Sequence, residues 1–512
     1  MERSTVLNKN LKASARNPLG ARVCGHSSLH ALFSVLLILS LAGCGTLSAT
    51  RVPWEAEQPD GCRAFFERLN AVVLERGVHN AADAPVPGFP YLRANRFVAS
   101  LAGGLSEPAA KTAWTEWMRE LDLAAREKEI TNLPHDSVKT LAASRDALAG
   151  RARTCSQTLY DADRVRPDFH EVLIPRVAVP DEYSNALRLI GLYPLITIPE
   201  YKITEGVRER FRAWYEMPYE KLPAEGTLRT YRPPPGPGRD AREVIAASRL
   251  NPLGIPRPST GEARELALRY APVIIQDETA PYDRVGRIAW KGDALTVDGD
   301  KPAVYYYLSH ARVKKEPVLQ INYVFWYPAR SGNRAPAIEH GRLDGLTLRL
   351  SFEPGGRLFM IDLMNNCGCY HVFIPAKDRV VRTIRRYYEN DPFAPQELPE
   401  IAAGQSPAVR ILSGWHQVQR LLPLTTPPEG MPYDLLPYEM LESLPRGEGP
   451  GASIFDAEGI VKGSERVERF IFFPTGIPSI GSMRQRGHHA VTLSGRTHFD
   501  EPGLFEHYFV FR

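Results

Sequence analysis

Between Val318 and Pro375, six side chains able to hold a metal, move a proton or attack a carbon lie at or near the ends of short apolar runs. They are His340, Asp344, Asp362, Cys367, Cys369 and His371. Neutral imidazole is the commonest protein metal ligand and the usual general base near neutral pH. A second group, His488, His489, Arg496, His498, Asp500 and Glu501, lies in the segment RGHHAVTLSGRTHFDEP. If the C-terminal strands pack beside the first group, the two converge. The metal set expected on that basis is His340, Asp344, His371 and His488, holding a divalent metal ion. The spacing matches no H-E-x-x-H and no paired C-x-x-C pattern. Solvated loop histidines and hydrogen-bonding carboxylates therefore explain the same letters. Ser413 and Ser494 lack the leading glycine of a nucleophile elbow. Cys369 and His371, two apart on a strand, share a face without ideal geometry for a thiolate–imidazole pair. The chain has neither a phosphate-binding loop nor a dinucleotide-binding glycine pattern.

The elements that must position these residues are strands. From Ala263 onward, runs such as LALRYAPVIIQD, AVYYYLSHARV, VLQINYVFWYPAR, LTLRLSF, RLFMIDL, YHVFIP, RFIFFP, AVTLSG and HYFVFR are short and rich in Val, Ile, Phe and Tyr. Gly, Pro and Asp punctuate them, which predicts a jelly-roll-like antiparallel β-sandwich over residues 261–512. If EPGG joins the central hairpin, Leu350 faces Phe359, Leu348 faces Ile361 and Leu346 faces Leu363 on one apolar face. The other face then sets Thr347 against Asp362 with Arg349 one diagonal away, an ion pair worth little if exposed. Asp344 falls beyond the paired strand, near Asn365, free to serve a site.

The series RYAPVI, YVFWYPAR, HGRLDGLTLRL and GCYH resembles the order of motifs in the Vps62-like and necrosis-inducing-protein β-sandwiches. There, an aromatic strand ending in Tyr/Phe-Pro precedes a Gly-His-x-x-Asp-Trp-Glu-like loop. Tyr327-Pro328 and His340-Gly341-Arg342-Leu343-Asp344-Gly345 take those places here, within residues 269–374. Gly345-Leu346 stands where that family has Trp-Glu, so its acidic ligand is missing. The resemblance implies a divalent-cation site at His340 and Asp344.

Upstream, residues 44–164 show helical spacing: Phe65, Phe66, Leu69, Val72, Val73 and Leu74 mostly on one face of one segment, Trp114, Trp117, Met118, Leu121 and Leu123 in the next, and SVKTLAASRDALAGRARTCSQTLYDAD in the same manner. These predict a helical bundle, and the whole chain an α+β fold with that bundle ahead of the sandwich. Residues 165–260 form a mixed connector: FHEVLIPRVAVP reads as extended, TEGVRERFRAWYEMP as an amphipathic helix and RTYRPPPGPGRD as a proline-rich link. Residues 1–43 have the basic start, the apolar run ALFSVLLILSLAG and the small-residue end of a signal peptide. Leu41-Ala42-Gly43-Cys44 resembles a lipobox, which implies a lipoprotein acylated (palmitate in kind) at Cys44. Such chains hold a protein on a membrane. Gly45 favours the outer membrane. The expectation is a cell-envelope protein facing the periplasm or the exterior.

Lys and Arg number 63 against 59 Asp and Glu, with no basic block, so nucleic-acid binding has no electrostatic support. Past Cys44 the cysteines are Cys62, Cys155, Cys367 and Cys369, and spacing favours a Cys62–Cys155 disulfide. Two functions are consistent with this. One is a binding or structural module for an envelope glycan or protein. The other is a metal-dependent hydrolase with a His/Asp site in the β domain.

Overall fold

The computed structural model describes residues 60–386, 389–427 and 429–512, all within one compact unit of helices and sheets. The expected signal peptide and the expected acylation site Cys44 lie outside the described residues. Helices α1 (Asp60–Glu75), α2 (Pro108–Asn132) and α3 (Arg145–Arg164) form where their spacing predicts, and bury most of those stripes, though Leu74 near the end of α1 is 63% exposed. Phe65, Phe66, Leu69, Trp114, Trp117, Met118, Leu148 and Leu159 share one core. Cys62 and Cys155 are joined, with Cα atoms 5.0 Å apart across 93 residues of sequence. A short hairpin, Ala84–Val86 with Phe89–Ala94, sits against these helices. It has no alternating pattern because Tyr91, Leu92, Arg93 and Ala94 are all buried.

Residues 169–176 depart from the extended reading. Phe169–Leu173 is helical and Ile174–Arg176 a 3-10 turn, with Pro175 in its first positions, where a missing N–H costs nothing. Helix α4 (Tyr193–Glu216) is longer than the amphipathic stretch and runs through Pro199. Helices α5 (Ala241–Ser248) and α6 (Thr260–Arg269) follow. The second takes the first four residues, Leu266–Arg269, of a stretch expected as strand, because Ser259 and Glu262 form a reciprocal cap at its start.

Two large sheets carry the rest. One has five strands in the order β9-β8-β2-β1-β10: β1 (Thr227–Arg232), β2 (Val273–Glu278), β8 (Gln405–Ile411), β9 (Val418–Thr425) and β10 (Met431–Pro432). The other has six in the order β7-β6-β5-β4-β3-β11: β3 (Ala303–Val313), β4 (Glu316–Arg330), β5 (Gly341–Phe352), β6 (Leu358–Asn365), β7 (Val372–Pro375) and β11 (Asp434–Pro437). Most pairs are antiparallel, but β8–β2, β10–β1 and β11–β3 are parallel. Ile274, Val409 and Ile411 of one sheet share a core with Phe325, Leu348, Leu350 and Ile361 of the other.

The β5–β6 hairpin keeps its faces but not its register. Leu350 pairs with Ile361, Leu348 with Leu363 and Arg349 directly with Asp362, two residues from the expectation. A longer turn and an irregularity between Leu358 and Met360 absorb the difference. Nor is Asp362 exposed. Phe499 stacks 3.5 Å from the Arg349 guanidinium and Phe505 covers it further, so the pair is buried. RFIFFP is not a strand but two 3-10 turns, Val467–Phe470 and Phe473–Thr475, and AVTLSG has only the Ala490–His498 bridge. HYFVFR divides between a helical turn, Leu504–Tyr508, and a strand, Phe509–Phe511.

Glu442 ties the helical part to the β-rich part. Its carboxylate accepts from Asn80 Nδ2 (3.2 Å) and Gln485 Nε2 (3.2 Å) and pairs with Arg486 (3.0 Å). Its carbonyl accepts from Asn132 Nδ2 at 2.8 Å.

Candidate functional site

The strand ends gather a buried charge cluster centred on Asp344. Arg330, at the end of β4, donates from Nε to Oδ2 and from Nη2 to Oδ1 of Asp344, both at 3.0 Å. Arg466 donates to Oδ1 at 3.0 Å and His416 Nδ1 to Oδ2 at 2.7 Å. His416 reaches on through Nε2 to Asp283 Oδ1 (3.2 Å), and its ring lies flat on Tyr327 at 3.8 Å. Asp283 also accepts from the Gly414 amide (2.7 Å) and from the Ser413 hydroxyl (2.8 Å). Glu339 accepts from Arg330 (2.5 Å), from Trp415 Nε1 (3.1 Å) and from the Tyr370 hydroxyl. With His416 protonated, three cations meet three carboxylates. Leu343, Tyr370 and His416, all non-glycine, hold left-handed backbone here (φ 57°, 57° and 53°). Such conformations persist only where the surroundings enforce them.

Burial alone would lower the His416 pKa, but its bonds to Asp283 and Asp344 outweigh that and raise it. The charges of Arg330, Arg466 and His416 likewise overcome burial and hold Asp344 well below the usual carboxylate range. His488, bonded to Glu182, is raised as well, against its own burial. Two other histidines go the opposite way. Burial brings His310, packed between Phe97 and Trp117, down to about 4. Burial and then Arg484 bring His489 down to about 3. The sign follows from proton binding. His416 and His488 stabilise the fold fully below the ordinary histidine value near about 6.5, and that contribution is lost as pH rises through their raised values. His310 and His489 must stay neutral, so the unfolded chain binds more protons below about pH 6.5 and stability falls by about 1.4 kcal/mol per pH unit for each. Denaturant titrations from about pH 4.5 to about 8.5 should show greatest stability near about pH 6.5. His489→Gln should make the acid limb shallower; an unchanged limb would remove His489 from the account.

The four residues of the expected metal set are not brought together. His340 bonds the Ala335 carbonyl through Nε2 at 3.1 Å. Asp344 spends both oxygens on Arg330, Arg466 and His416. His371 Nε2 meets Asp362 at 2.8 Å, and His488 bonds Glu182 (3.0 Å) and the Ala81 carbonyl (2.7 Å). Among the described residues no three His, Cys, Asp or Glu side chains stand grouped to hold a metal ion. The donors around Asp344 are cations, so the cation site implied by the resemblance at His340 and Asp344 does not fit this geometry.

What the two histidine-bearing segments do share is a pocket. The Gly368 backbone (φ +88°) lies against the Ala490 carbonyl with no room for a Cβ, and His371 and His489 flank the Phe499 ring. Beside this contact opens a cavity of about 290 Å³, walled by Val207 and Phe211 of α4, Phe393, Phe472, Ile477 and Ile480. Cys367, Cys369, His371, Glu339 and Glu468 also line it. Cys367 and Cys369 are free thiols. Burial would raise Cys367, but a hydrogen bond from Cys369 and the charges of Arg330 and Arg466 bring it down to about 7. Burial, then Cys367 and Glu339, push Glu468 up to about 8, so it holds a proton at neutral pH. With Nε2 turned to Asp362, the His371 Nδ1 is buried and has no hydrogen-bond partner among the described residues. Burial keeps His371 neutral, which makes Nδ1 an acceptor. The pocket thus has apolar walls, one protonated carboxyl and two thiols, with the His371 ring behind them.

Sequence reasoning named Asp344, His371, Cys367 and Cys369 but missed Arg330, Arg466, His416 and, beyond it, Asp283 around Asp344, and Glu339 and Glu468 beside the thiols. The signal available for Arg330 was an arginine closing an otherwise apolar strand. Among the described residues no helix is long and apolar enough to cross a membrane. No protein-family model, curated protein or solved structure matches this chain.

Proposed function

We propose that this chain is a lipid-anchored protein of the bacterial cell envelope, held through Cys44 and most simply placed at the outer membrane. Its folded part would be a binding module, a helical bundle set against a two-sheet sandwich. The separate core of α1–α3 and the core shared by the two sheets support that architecture. The observation that carries the function is the pocket. A cavity of about 290 Å³ with mainly apolar walls is lined by His371 and Glu468, with Arg208 and Arg210 of α4 also on its wall. Few convergent polar groups in an apolar concavity are the usual make-up of a ligand site. An amphiphile suits it: an apolar body inside, a polar group at Glu468, and an anionic head near the arginines. An acylated envelope glycan or peptide has that chemistry. The metal-dependent hydrolase finds no grouped donor set among the described residues, so binding is the reading adopted.

A fluorescent fatty-acid probe titrated into protein starting at Gly45 should bind with micromolar affinity. Val207→Trp, which fills the mouth, should weaken binding by about tenfold or more, the scale of one lost apolar side-chain contact. A wild-type protein that leaves the probe free in solution would end this reading.

A further inference from the structure

Large apolar side chains exposed to solvent are concentrated in one place. Of the sixteen among the described residues, seven fall between Leu189 and Ile203. Leu189 is 78% exposed, Ile190 72%, Leu192 59%, Leu195 68%, Ile198 59% and Ile203 59%, and Tyr201 is the seventh. They run from a short helix, Asn185–Ile190, across Leu192 and into α4. Leu192 itself is held in left-handed backbone (φ 52°). The ridge is braced from behind, because Gly191 packs so tightly on Pro474 that a Cβ would lie 2.4 Å from it. Just before Pro474, Phe470 and Ile471 are exposed as well (67% and 49%). An apolar surface of this extent on a folded chain marks a contact.

The geometry points to a lipid bilayer as the occupant: we infer that the Leu189–Ile203 ridge inserts into the interfacial layer of an anionic membrane. Three observations favour lipid over another protein. The ridge has a modest cationic margin: Lys202, Arg385 and Arg386 share one hollow with Ile198 and Tyr201, and with Arg385 paired to Asp391 and Arg386 to Glu389 one positive charge is left over. Tyr201 stands along it, 39% exposed, an apolar body with a polar tip that suits the headgroup level. Finally, the sixteen residues from the lipobox cysteine Cys44 to Asp60 span at most about 55 Å. This third point rests on the anchor of the proposed function, which would hold the folded part close to a bilayer. Ile203 also lines the pocket, so an amphiphile could pass from the bilayer to the cavity without crossing water. The inference does not need the pocket to bind anything.

The test is vesicle flotation of protein starting at Gly45, which lacks Cys44 and keeps every described residue. Vesicles of phosphatidylglycerol with phosphatidylethanolamine should carry wild type upward, and neutral phosphatidylcholine should carry less. The double variant Leu195→Ser/Ile198→Ser should lose about tenfold or more in partitioning at unchanged thermal midpoint, because both residues are already exposed. If that variant folds poorly, Ile198→Trp serves instead, with its emission shifting to the blue on adding anionic vesicles. Wild type that stays at the bottom of the gradient overturns the inference. A ridge-dependent dimer in light scattering overturns it too, in favour of a second copy of this chain. Either result leaves probe binding in the pocket to be judged on its own titration.

Discussion

Asp344→Ala is expected to lower unfolding free energy by about 3–5 kcal/mol, the cost of leaving buried ions without their partner. The residue is fully buried and receives four hydrogen bonds, from Arg330 twice, from Arg466 and from His416. Its removal leaves two guanidiniums and an imidazolium facing one another in a dry site. Arg466 is poorly placed to compensate, since its Nε and Nη1 already lack partners among the described residues. Asp344→Asn keeps shape but not charge and should lie between wild type and alanine. Urea denaturation followed by circular dichroism gives the comparison. A loss below about 1 kcal/mol for the alanine variant, the range of an exposed pair, would mean that water reaches the cluster.

Breaking the Cys62–Cys155 link is the second large effect. The bond closes a separation of 93 residues, and a loop of that length gains about 4–5 kcal/mol in the chain-entropy account. Cys62→Ser with Cys155→Ser should therefore cost about 2–5 kcal/mol, the observed span for native disulfides. Cys155 is buried in the helical core, so part of the loss is packing. Repeating the denaturation on wild type with and without a reducing agent separates the two: reduction alone opens the loop without changing a side chain. An unchanged midpoint on reduction would show that the bond contributes nothing to the native balance.

Local signals were legible in the sequence where one face of one element decides the pattern. The stripes of α1, α2 and α3 are such cases, and so is the alternation that set Leu348 and Leu350 on the core side of β5. What was not legible depends on residues far away in the chain. Asp362 read as an exposed partner of Arg349 because nothing near it announces Phe499 and Phe505, which arrive from the C-terminal segment to cover the pair. The hairpin register slipped by two because a turn and one irregularity lie below the resolution of an alternating pattern. The parallel β8–β2 pair joins strands whose partners are more than a hundred residues apart, beyond any local period. His340, Asp344 and His371 are metal-ligand types in a plausible order, but arginines contributed by Arg330, Arg349 and Arg466 took up the carboxylates. Arginine at a strand end carries no sequence mark of which carboxylate it will meet.

The shared carboxylate of Glu442 has a consequence for how this chain can be taken apart. Asn80 and Asn132 reach it from the helical side, Gln485 and Arg486 from the other, and it is almost fully buried. Separating the helical part would break only the bonds from Asn80 and Asn132; Glu442 would keep Gln485 and Arg486 and regain water, a net loss of about 1 kcal/mol per bond. The carboxylate is therefore a locating pin that fixes where the helical core meets the β-rich one, and not the chief source of their cohesion.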